Sequence, residues 1–310
     1  MKTLHDFYEQ FPTEASCRAY FERIRFQEGD QCPHCNHNEI MRFTNGIRYR
    51  CKGCKQDFTI KTGTIFGDSK VTLKKWFLAI YLLTTHKKGI SSIQLAKFVG
   101  VTQKTAWFMD HRIRESLKQG THILFGTVEA DEMYVGGLEK NKHYNKKTKH
   151  KNMNLARACP GKVPVLGLLV RGGEARTKVV DQATLFELQS HVLQNVAQGS
   201  TVYTDEHLGY SKLNRYYTHG TTEHGAKKYV RGDIHSNGME SFWAIFKRGF
   251  KGSYHVMSKK HLQRYMDEFT YRFNNRHLSF GDIFTKTLQN TAIYPTINYK
   301  TLTYEETQEA

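Results

Sequence analysis

Apolar positions follow two different periods along the chain. Over the first 120 residues they recur at helical spacing, most regularly over 72–118. One face of that stretch collects Leu73, Trp76, Phe77, Ile80 and Leu83. Beyond it, short apolar runs typical of strands cover 127–135, 163–170, 177–180 and 202–204. Helices are predicted at 183–196, 237–248 and 259–274, so the second half is predicted to be an α/β or α+β domain.

These patterns divide the chain into predicted segments. They are an N-terminal helical segment (1–30), a turn-rich segment with cysteines (31–62), a helical domain (70–120), a strand-and-helix domain (126–280) and a C-terminal tail (281–310). Residues 138–162 interrupt the strand-and-helix domain with eight Lys or Arg and one acidic residue, which is typical of a mobile basic loop. After residue 294 the chain turns polar and acidic, and we expect this end to be loosely ordered.

The charge balance indicates the class of partner. Lys and Arg number 46 against 29 Asp and Glu, a net charge of +17. Such a surface attracts polyanions, which favours nucleic acid. An anionic membrane is the alternative, but the best apolar runs, 76–83 and 163–170, fall far short of the roughly 20 residues that a spanning helix needs. The first ten residues hold no apolar core of a signal peptide, so we expect a cytoplasmic protein.

Four of the six cysteines form two CxxC pairs, Cys32 with Cys35 and Cys51 with Cys54, separated by fifteen residues. Zinc binds four thiolates in a tetrahedron, and this separation allows a hairpin to bring the second pair back to the first. We therefore predict one structural Zn²⁺ in a zinc ribbon with strands at 48–50 and 58–60; a redox dithiol pair is the alternative. His34 and His37 are substitute ligands, whereas Cys17 and Cys159 are expected to be ordinary thiols.

Residues 91–107 have the pattern of a helix-turn-helix. Ser91 or Ser92 caps a first helix, Gly100 ends it, and Thr102 caps a second. The predicted buried positions are Ile93, Leu95, Ala96 and Val99 on the first helix and Ala106, Trp107, Met109 and Ile113 on the second. The side chains left to meet DNA are Gln103, Lys104, Arg112 and Arg114. A helical hairpin without DNA contacts is the alternative.

Acidic residues inside apolar strands are unusual in a chain this basic. Asp131 lies within the strand at 127–135, and Asp205 ends the strand near 202–204. Glu240 lies in the helix at 237–248 and shares a face with Asn237 and Lys247. Carboxylates from two strands and a helix are suited to hold two divalent ions, and oxygen ligands favour Mg²⁺ or Mn²⁺. The nearby rivals for these roles are Glu129, Glu132, Asp181, Glu206 and Asp233.

The same residues carry a resemblance to a known family. Residues 131–137 resemble the D-E-x-Y-x-G-G opening of bacterial insertion-sequence transposases of the ISXO-like group, which join a zinc ribbon to a DDE catalytic domain. Asp205 falls where their second aspartate follows a strand, and 235–243 with 247–249 are similar to their third motif. Further matching stretches are 62–66, 252–258, 261–265 and 273–276. The resemblance spans about residues 15–280.

This resemblance implies an RNase H-like catalytic domain with two Mg²⁺ ions, held by Asp131, Asp205 and Glu240. Some relatives place asparagine at the third position, so Asn237 is the alternative ligand. Metal-activated water or a DNA 3′-hydroxyl then displaces the leaving oxygen at phosphorus. Lys247 and Arg248 are expected to bind phosphate, and further expected DNA contacts are Tyr254, His255, His261 and Arg264.

A transposase that cleaves and joins the ends of its own insertion sequence is therefore the leading hypothesis. Its partners would be the double-stranded DNA of the terminal inverted repeats and the target, and bringing two ends together would require a homodimer or higher oligomer. The alternatives are a non-catalytic zinc-ribbon and helix-turn-helix regulator, a recombinase with Tyr265 as nucleophile, and a plain RNase H-like nuclease.

Overall fold

Helix starts in this chain are set by capping side chains. Each cap accepts a hydrogen bond from the backbone N–H three residues later, which satisfies a donor that the helix leaves free. The capping residues are Thr3, Thr13, Thr72, Ser91, Thr102, Thr184, Ser279 and Asn298. The computed structural model describes residues 1–137, 162–205, 208–222 and 235–304. They belong to two units, Met1–Lys118 with Asn275–Ala310, and Gln119–Asn274.

The first unit combines a small sheet with helices. Its helices are α1 (Leu4–Gln10), α2 (Glu14–Arg25), α3 (Leu73–Thr85), α4 (Ser92–Val99), α5 (Gln103–Glu115), α9 (Phe280–Ile293) and α10 (Tyr299–Thr303). Its strands β1 (Ile40–Arg42), β2 (Arg48–Cys51) and β3 (Asp57–Thr59) form an antiparallel sheet in that order. Between α4 and α5, Gly100 has a φ of +67°, as expected for the residue that ends the first helix of a tight pair.

The expectation of a loosely ordered C-terminal end is wrong for the described residues up to 304. Phe284 on α9 packs in one aromatic cluster with Phe7, Phe11 and Phe77, at centroid separations of 6.3, 5.7 and 5.8 Å. Leu302 on α10 is fully buried. Within 295–304, where loose order was expected, α10 forms and buries Leu302, whereas Phe284 of the predicted tail 281–310 contacts Phe7 of α1 and Phe77 of α3. Ile93, expected to be buried, is 62% exposed on the outer face of α4.

The second unit is built on a five-stranded mixed sheet. Its strands are β4 (Thr127–Val135), β5 (Val163–Val170), β6 (Ala175–Val179), β7 (Thr201–Asp205) and β8 (Thr218–Thr222), in the order β6-β5-β4-β7-β8. The β4–β5 and β5–β6 pairs are antiparallel, whereas β7 lies parallel to both β4 and β8. This order and these directions are those of an RNase H-like sheet, as the resemblance implied.

Helices cover both faces of this sheet. On one face α6 (Leu185–Asn195) packs Leu188 and Val192 against β4, β5 and β7. On the other face lie α7 (Asn237–Gly249) and α8 (Lys259–Asn274), which share a core with Val165 and Leu169 of β5. Gly167 allows this close packing, because a Cβ there would lie 2.2 Å from Met239 Cε and 2.5 Å from the Trp243 ring.

Sequence patterns located most of these elements within two residues, but they missed β8. This edge strand has the sequence Thr-His-Gly-Thr-Thr, which lacks the apolar alternation that marks a strand. Its position beside β7 comes from backbone pairing over five residues. In the part of the chain that the structure describes, no helix has the length and apolar character needed to cross a membrane.

Candidate active site and metal centres

Strand alternation and sheet order bring two aspartates together. Asp131 lies on β4, on the sheet face that packs against α7, and Asp205 ends the neighbouring parallel strand β7. With Glu132 they form a group whose carboxylate oxygens all lie within 4.8 Å of one another. Asp131 and Asp205 were predicted to meet. Glu132 had been only a rival candidate, and it reaches the group from the position next to Asp131 on β4.

The side chain of Asp131 is held from two directions. Its Oδ2 accepts a hydrogen bond from Trp243 Nε1 of α7 at 3.0 Å, and its Oδ1 accepts one from the Glu132 N–H at 2.9 Å. Burial, with the nearby carboxylates of Glu132 and Asp205, raises the pKa of Asp131 to about 7. Three acids this close repel one another, and a divalent cation would relieve the repulsion, so the oxygen donors fit a hard metal ion.

Tyr210 lines the same site from the short helical turn after β7. Its hydroxyl donates to Glu132 Oε2 at 3.1 Å and thereby orients that carboxylate. Burial and the same three carboxylates raise its pKa well above the ordinary value, so the phenol stays protonated and remains a donor. Neither Tyr210 nor Trp243 was predicted as a site residue. The sequence signal for Trp243 is its place one helical turn after Glu240.

Glu129 points to the same face as Asp131 but has a different role. It is only 1% exposed and accepts hydrogen bonds from Arg171 Nε at 3.0 Å and from the Met239 N–H at 2.9 Å. Met239 is the third residue of α7, whose preceding residue Ser236 makes no side-chain cap. The carboxylate of Glu129 therefore caps α7 from the sheet and fixes the start of that helix beside Asp131.

Helix α7 carries the other predicted catalytic residues on its exposed side. Asn237 and Glu240 lie in its first turn, and Lys247 and Arg248 lie in its last turn. Glu240 is not a member of the carboxylate group that lies within 4.8 Å, so the described residues bring Glu132, rather than Glu240, next to the two aspartates. Assignment of the third ligand to Glu240 or Asn237 stays a prediction.

The four cysteines of the two CxxC pairs converge in the first unit. Their sulfur atoms all lie within 4.8 Å of one another, with Sγ–Sγ distances of 3.8 Å for Cys32–Cys54 and 3.6 Å for Cys35–Cys51. A tetrahedron with Zn–S bonds of about 2.3 Å has edges of about 3.8 Å, so the spacing fits zinc. The remaining core of the ribbon is small, with the rings of Tyr49 and Phe58 stacked at 5.3 Å.

The two knuckles repeat one backbone geometry. Cys32 N–H donates to the His37 carbonyl at 2.9 Å, and Cys51 N–H donates to the Gln56 carbonyl at 3.0 Å. Within each knuckle a left-handed residue follows the second cysteine, Asn36 with φ +59° and Lys55 with φ +60°. One backbone N–H in each knuckle also donates to a thiol sulfur. Such donors stabilise thiolates, which are the form that binds metal.

The residues predicted to contact DNA from α5 occupy different environments. Gln103 and Lys104 are exposed; Gln103 donates to Ser92 Oγ, and the ammonium of Lys104 lies 4.7 Å from the Tyr299 ring centre. Arg112 is only 3% exposed and donates to the carbonyls of Ile65, Gly67 and Ile297. The expectation that it meets DNA is therefore wrong in this structure, because it holds together segments that are distant in sequence. Arg114 is also buried.

The remaining predicted DNA contacts cluster after α7. A single π-helical turn, Phe250–Tyr254, ends this helix, and exposed His255 follows it. Tyr254 is partly buried and donates to Glu268 Oε1 at 2.7 Å. Arg264 is partly exposed beside His261, which is buried. The remaining candidates from the sequence, Cys159, Glu206, Asp233 and residues 138–161 of the basic segment, lie outside the described residues.

Comparison with known proteins agrees with this geometry. Residues 123–274 match the ISXO2-like transposase domain, and residues 12–57 match a transposase zinc-ribbon domain. A protein of Halobacterium salinarum, described as an uncharacterized protein in transposable element ISH50, is 30% identical over 271 residues. The match covers 84% of this chain and 91% of that protein.

A solved structure, a pre-cleavage Mos1 transpososome, also matches. Its identity to this chain is 13%, with 70% of this chain and 79% of the other covered. The TM-score between the two structures is 0.22. The family matches and the two clusters of ligand atoms together imply zinc in the ribbon and a divalent metal in the catalytic domain.

Proposed function

The chain belongs to the ISXO2-like transposase family, and on this premise we propose that it cuts and joins the DNA ends of its own insertion sequence by two-metal phosphoryl transfer. The observation that carries the proposal is the approach of Asp131 and Asp205, on neighbouring parallel strands, to within 4.8 Å. Oxygen ligands and a phosphate substrate favour Mg²⁺, with Mn²⁺ as the substitute.

Each residue of the site has a role that follows from its position. Asp131 and Asp205 bind metal, and the third oxygen ligand comes from Glu240, Asn237 or Glu132. Ions bound there would activate the attacking hydroxyl and stabilise the leaving 3′-oxygen. The Trp243 indole keeps one Asp131 oxygen oriented, so that the carboxylate meets the ion without rearranging.

Cationic residues on the exposed side of α7 bind the DNA strand that is cut. Lys247 and Arg248 follow Glu240 by about two helical turns, which suits contact with phosphates beside the scissile bond. Gln103 and Lys104 on α5 reach the inverted repeat, and Tyr254, His255 and Arg264 bind DNA beyond α7. The four cysteines hold one zinc ion that keeps the ribbon folded. Because two ends must meet, the active form is a homodimer or a higher oligomer on DNA.

The test is cleavage of a labelled duplex that copies the end of the element encoding this chain. In Mg²⁺ or Mn²⁺, we expect cuts that leave 3′-hydroxyls, and we expect D131N and D205N to cut at less than about one-hundredth of the wild-type rate. Glu174→Gln, a change to an acid in the β5–β6 turn, is the matched control and should cut normally. Specific binding by the wild-type chain without cleavage in either metal would contradict the proposal and favour a regulator.

The third ligand is decided in the same assay. E240Q, N237A and E132Q are compared at saturating metal and over a metal titration, because loss of a ligand raises the metal concentration needed for cutting. The true ligand should behave like Asp131 and Asp205. A variant that cuts at the wild-type rate at every metal concentration is not a ligand.

A further inference from the structure

The segment after α7 exposes an aliphatic side chain in a strongly basic part of the chain. Val256 is 80% exposed, and residues 241–266 include six Lys or Arg and no Asp or Glu. A single exposed valine is ordinary on a protein surface. What distinguishes Val256 is the backbone that holds it and the charge of the residues around it in sequence.

The backbone of this segment is anchored on both sides of Val256. On one side the Tyr254 hydroxyl donates to Glu268, a fully buried acid that also pairs with Arg272. The Tyr254 ring packs edge-on against Tyr265 at 4.9 Å. On the other side Met257 packs against the core shared by the sheet, α7 and α8. Only His255 and Val256 project between these anchors.

His255 and Val256 form the tip of this segment, and the backbone conformation of His255 is unusual. His255 has a φ of +59°, a region that side chains other than glycine seldom occupy. Its N–H donates to the Phe250 carbonyl at 2.7 Å, which ties the tip to the π-helical turn. The tip is therefore a preformed projection, and its fixed backbone directs Val256 outward.

The charge of the segment indicates what this projection meets. Exposed Lys251 and Lys260 flank it in sequence, and exposed Lys247 and Arg248 lie about one turn before Lys251, at the end of α7. These cations favour a phosphate backbone over an apolar protein surface, where they would have to be desolvated. Proteins that bend DNA from the minor groove frequently combine phosphate-binding cations with an aliphatic side chain that inserts between base pairs and opens the stack.

We propose, building on the proposed function, that Val256 is a wedge that enters the base stack of the element's end close to the cut. Trp243, which contacts Asp131, precedes Tyr254 by eleven residues, or about 16 Å along a helix axis. That length corresponds to about five base pairs of B-form DNA, which sets the distance over which the distortion should be found. Opening the base stack there would let the terminal DNA strand bend towards the cluster of Asp131, Glu132 and Asp205.

The test uses a duplex copied from the element's end, with 2-aminopurine at single positions across the ten base pairs around the junction. Calcium replaces magnesium, so that binding is measured on uncut DNA. We expect wild-type protein to raise the fluorescence severalfold at one or two positions, V256S to lose that rise, and V256L to keep it. I293S changes an aliphatic residue of similar exposure at the end of α9 and is the matched control.

Cleavage in Mg²⁺ supplies the second measurement. V256S should cut the paired duplex about tenfold more slowly than wild type, since it must open the stack without the wedge. A mismatch placed at the responsive position should restore its rate to that of wild type. Equal fluorescence with wild-type protein and V256S, no rise with either, or a slow V256S that the mismatch does not rescue would overturn the wedge.

These outcomes separate the wedge from the proposed function. If wild-type protein cuts and V256S matches it on every substrate, the wedge is wrong while the transposase activity stands. If wild-type protein cuts nothing in either metal, the proposed function fails. The 2-aminopurine fluorescence measured in calcium then still shows whether Val256 enters the base stack. A V256S defect in self-association with unchanged fluorescence would assign the residue to a protein interface and overturn the proposal.

Discussion

Two acidic residues on one strand face show how surroundings decide the role of a carboxylate. Glu129 and Asp131 are neighbours on the α7 side of β4. The charge of Glu129 is balanced by Arg171 and by the start of α7. Asp131 instead is buried with two further carboxylates nearby, and burial together with their charges raises its pKa to about 7. The balanced acid stabilises the fold, and the unbalanced one is left to bind a cation.

This contrast leads to a prediction for Glu129. E129A should lower the free energy of unfolding by about 3–5 kcal/mol, because it leaves Arg171 and the Met239 N–H of α7 without their buried partner. E129Q keeps a hydrogen-bond acceptor in place and should lower the free energy of unfolding by less than E129A does. Urea denaturation of wild type and both variants measures the difference.

Glu174 offers a control for that measurement. Its ion pair with Arg176 is longer, at 3.6 Å, and its side chain is partly exposed. E174A should therefore cost no more than about 1 kcal/mol. If E129A and E174A were equally destabilising, the capping role of Glu129 would be wrong.

The same residues show what sequence can and cannot predict. Asp131 and Asp205 were predictable because acids within apolar strands are costly and call for a cation. The role of Glu129 depends on Met239, 110 positions away, and no local pattern reports that contact. Arg112 was misassigned for the same reason, since its acceptors include the Ile65 carbonyl, 47 positions away, and that of Ile297, 185 positions away.

At the scale of elements, predictions succeeded where an element has its own periodicity. The bounds of β4, β5 and α8 agree with their apolar patterns. The zinc ribbon was also predictable, because its fold depends on four ligands at fixed spacing more than on a core. Strand β8 could not be predicted, since it is held by pairing with β7 and has little apolar character of its own.

Dependence of the ribbon on metal gives the second prediction. C35S should lose the bound zinc and the ordered structure of β1, β2 and β3, since zinc binding supplies about 10 kcal/mol or more to such modules. C17S removes another thiol of the same unit, one that is fully buried on α2 and whose pKa burial raises to about 12. It should keep one zinc per chain. Elemental analysis with amide exchange measures both properties.

Zinc content is also the result that could contradict the ribbon assignment. A C35S protein with a full equivalent of zinc and unchanged amide protection over 40–59 would show that Cys35 is not a ligand. Loss of zinc from C17S with an intact fold would move the site towards α2. Either result would leave the carboxylates of Asp131 and Asp205 untouched, because they belong to the other unit.

At the scale of the whole molecule, segments that are far apart along the chain fold into one unit. The N-terminal segment, the ribbon and the helical pair were predicted as separate regions, and the last thirty residues as a tail. The structure assigns Asn275–Ala310 to the same unit as Met1–Lys118, and the intervening segment Gln119–Asn274 forms the unit with the five-stranded sheet. Sequence patterns mark single elements, and they do not report which distant elements share a core.

This organisation predicts the effect of removing residues 275–310. The deletion takes away Ile283, Phe284, Leu288 and Leu302, all buried in the first unit. Burial of each such side chain contributes about 1.5–3 kcal/mol, so the loss is similar to the roughly 5–15 kcal/mol that holds a whole domain folded. We expect amide protection to collapse over 1–118 while the strands of the five-stranded sheet stay protected, as measured by hydrogen exchange.

Point variants of α9 test the same packing. F284A should lower the free energy of unfolding by about 3–5 kcal/mol, whereas I293A on the same helix should be nearly neutral, because Ile293 is exposed. Full protection of 1–118 after the deletion would mean that α9 is dispensable, and that the aromatic cluster formed by Phe7, Phe11 and Phe77 is stable without Phe284.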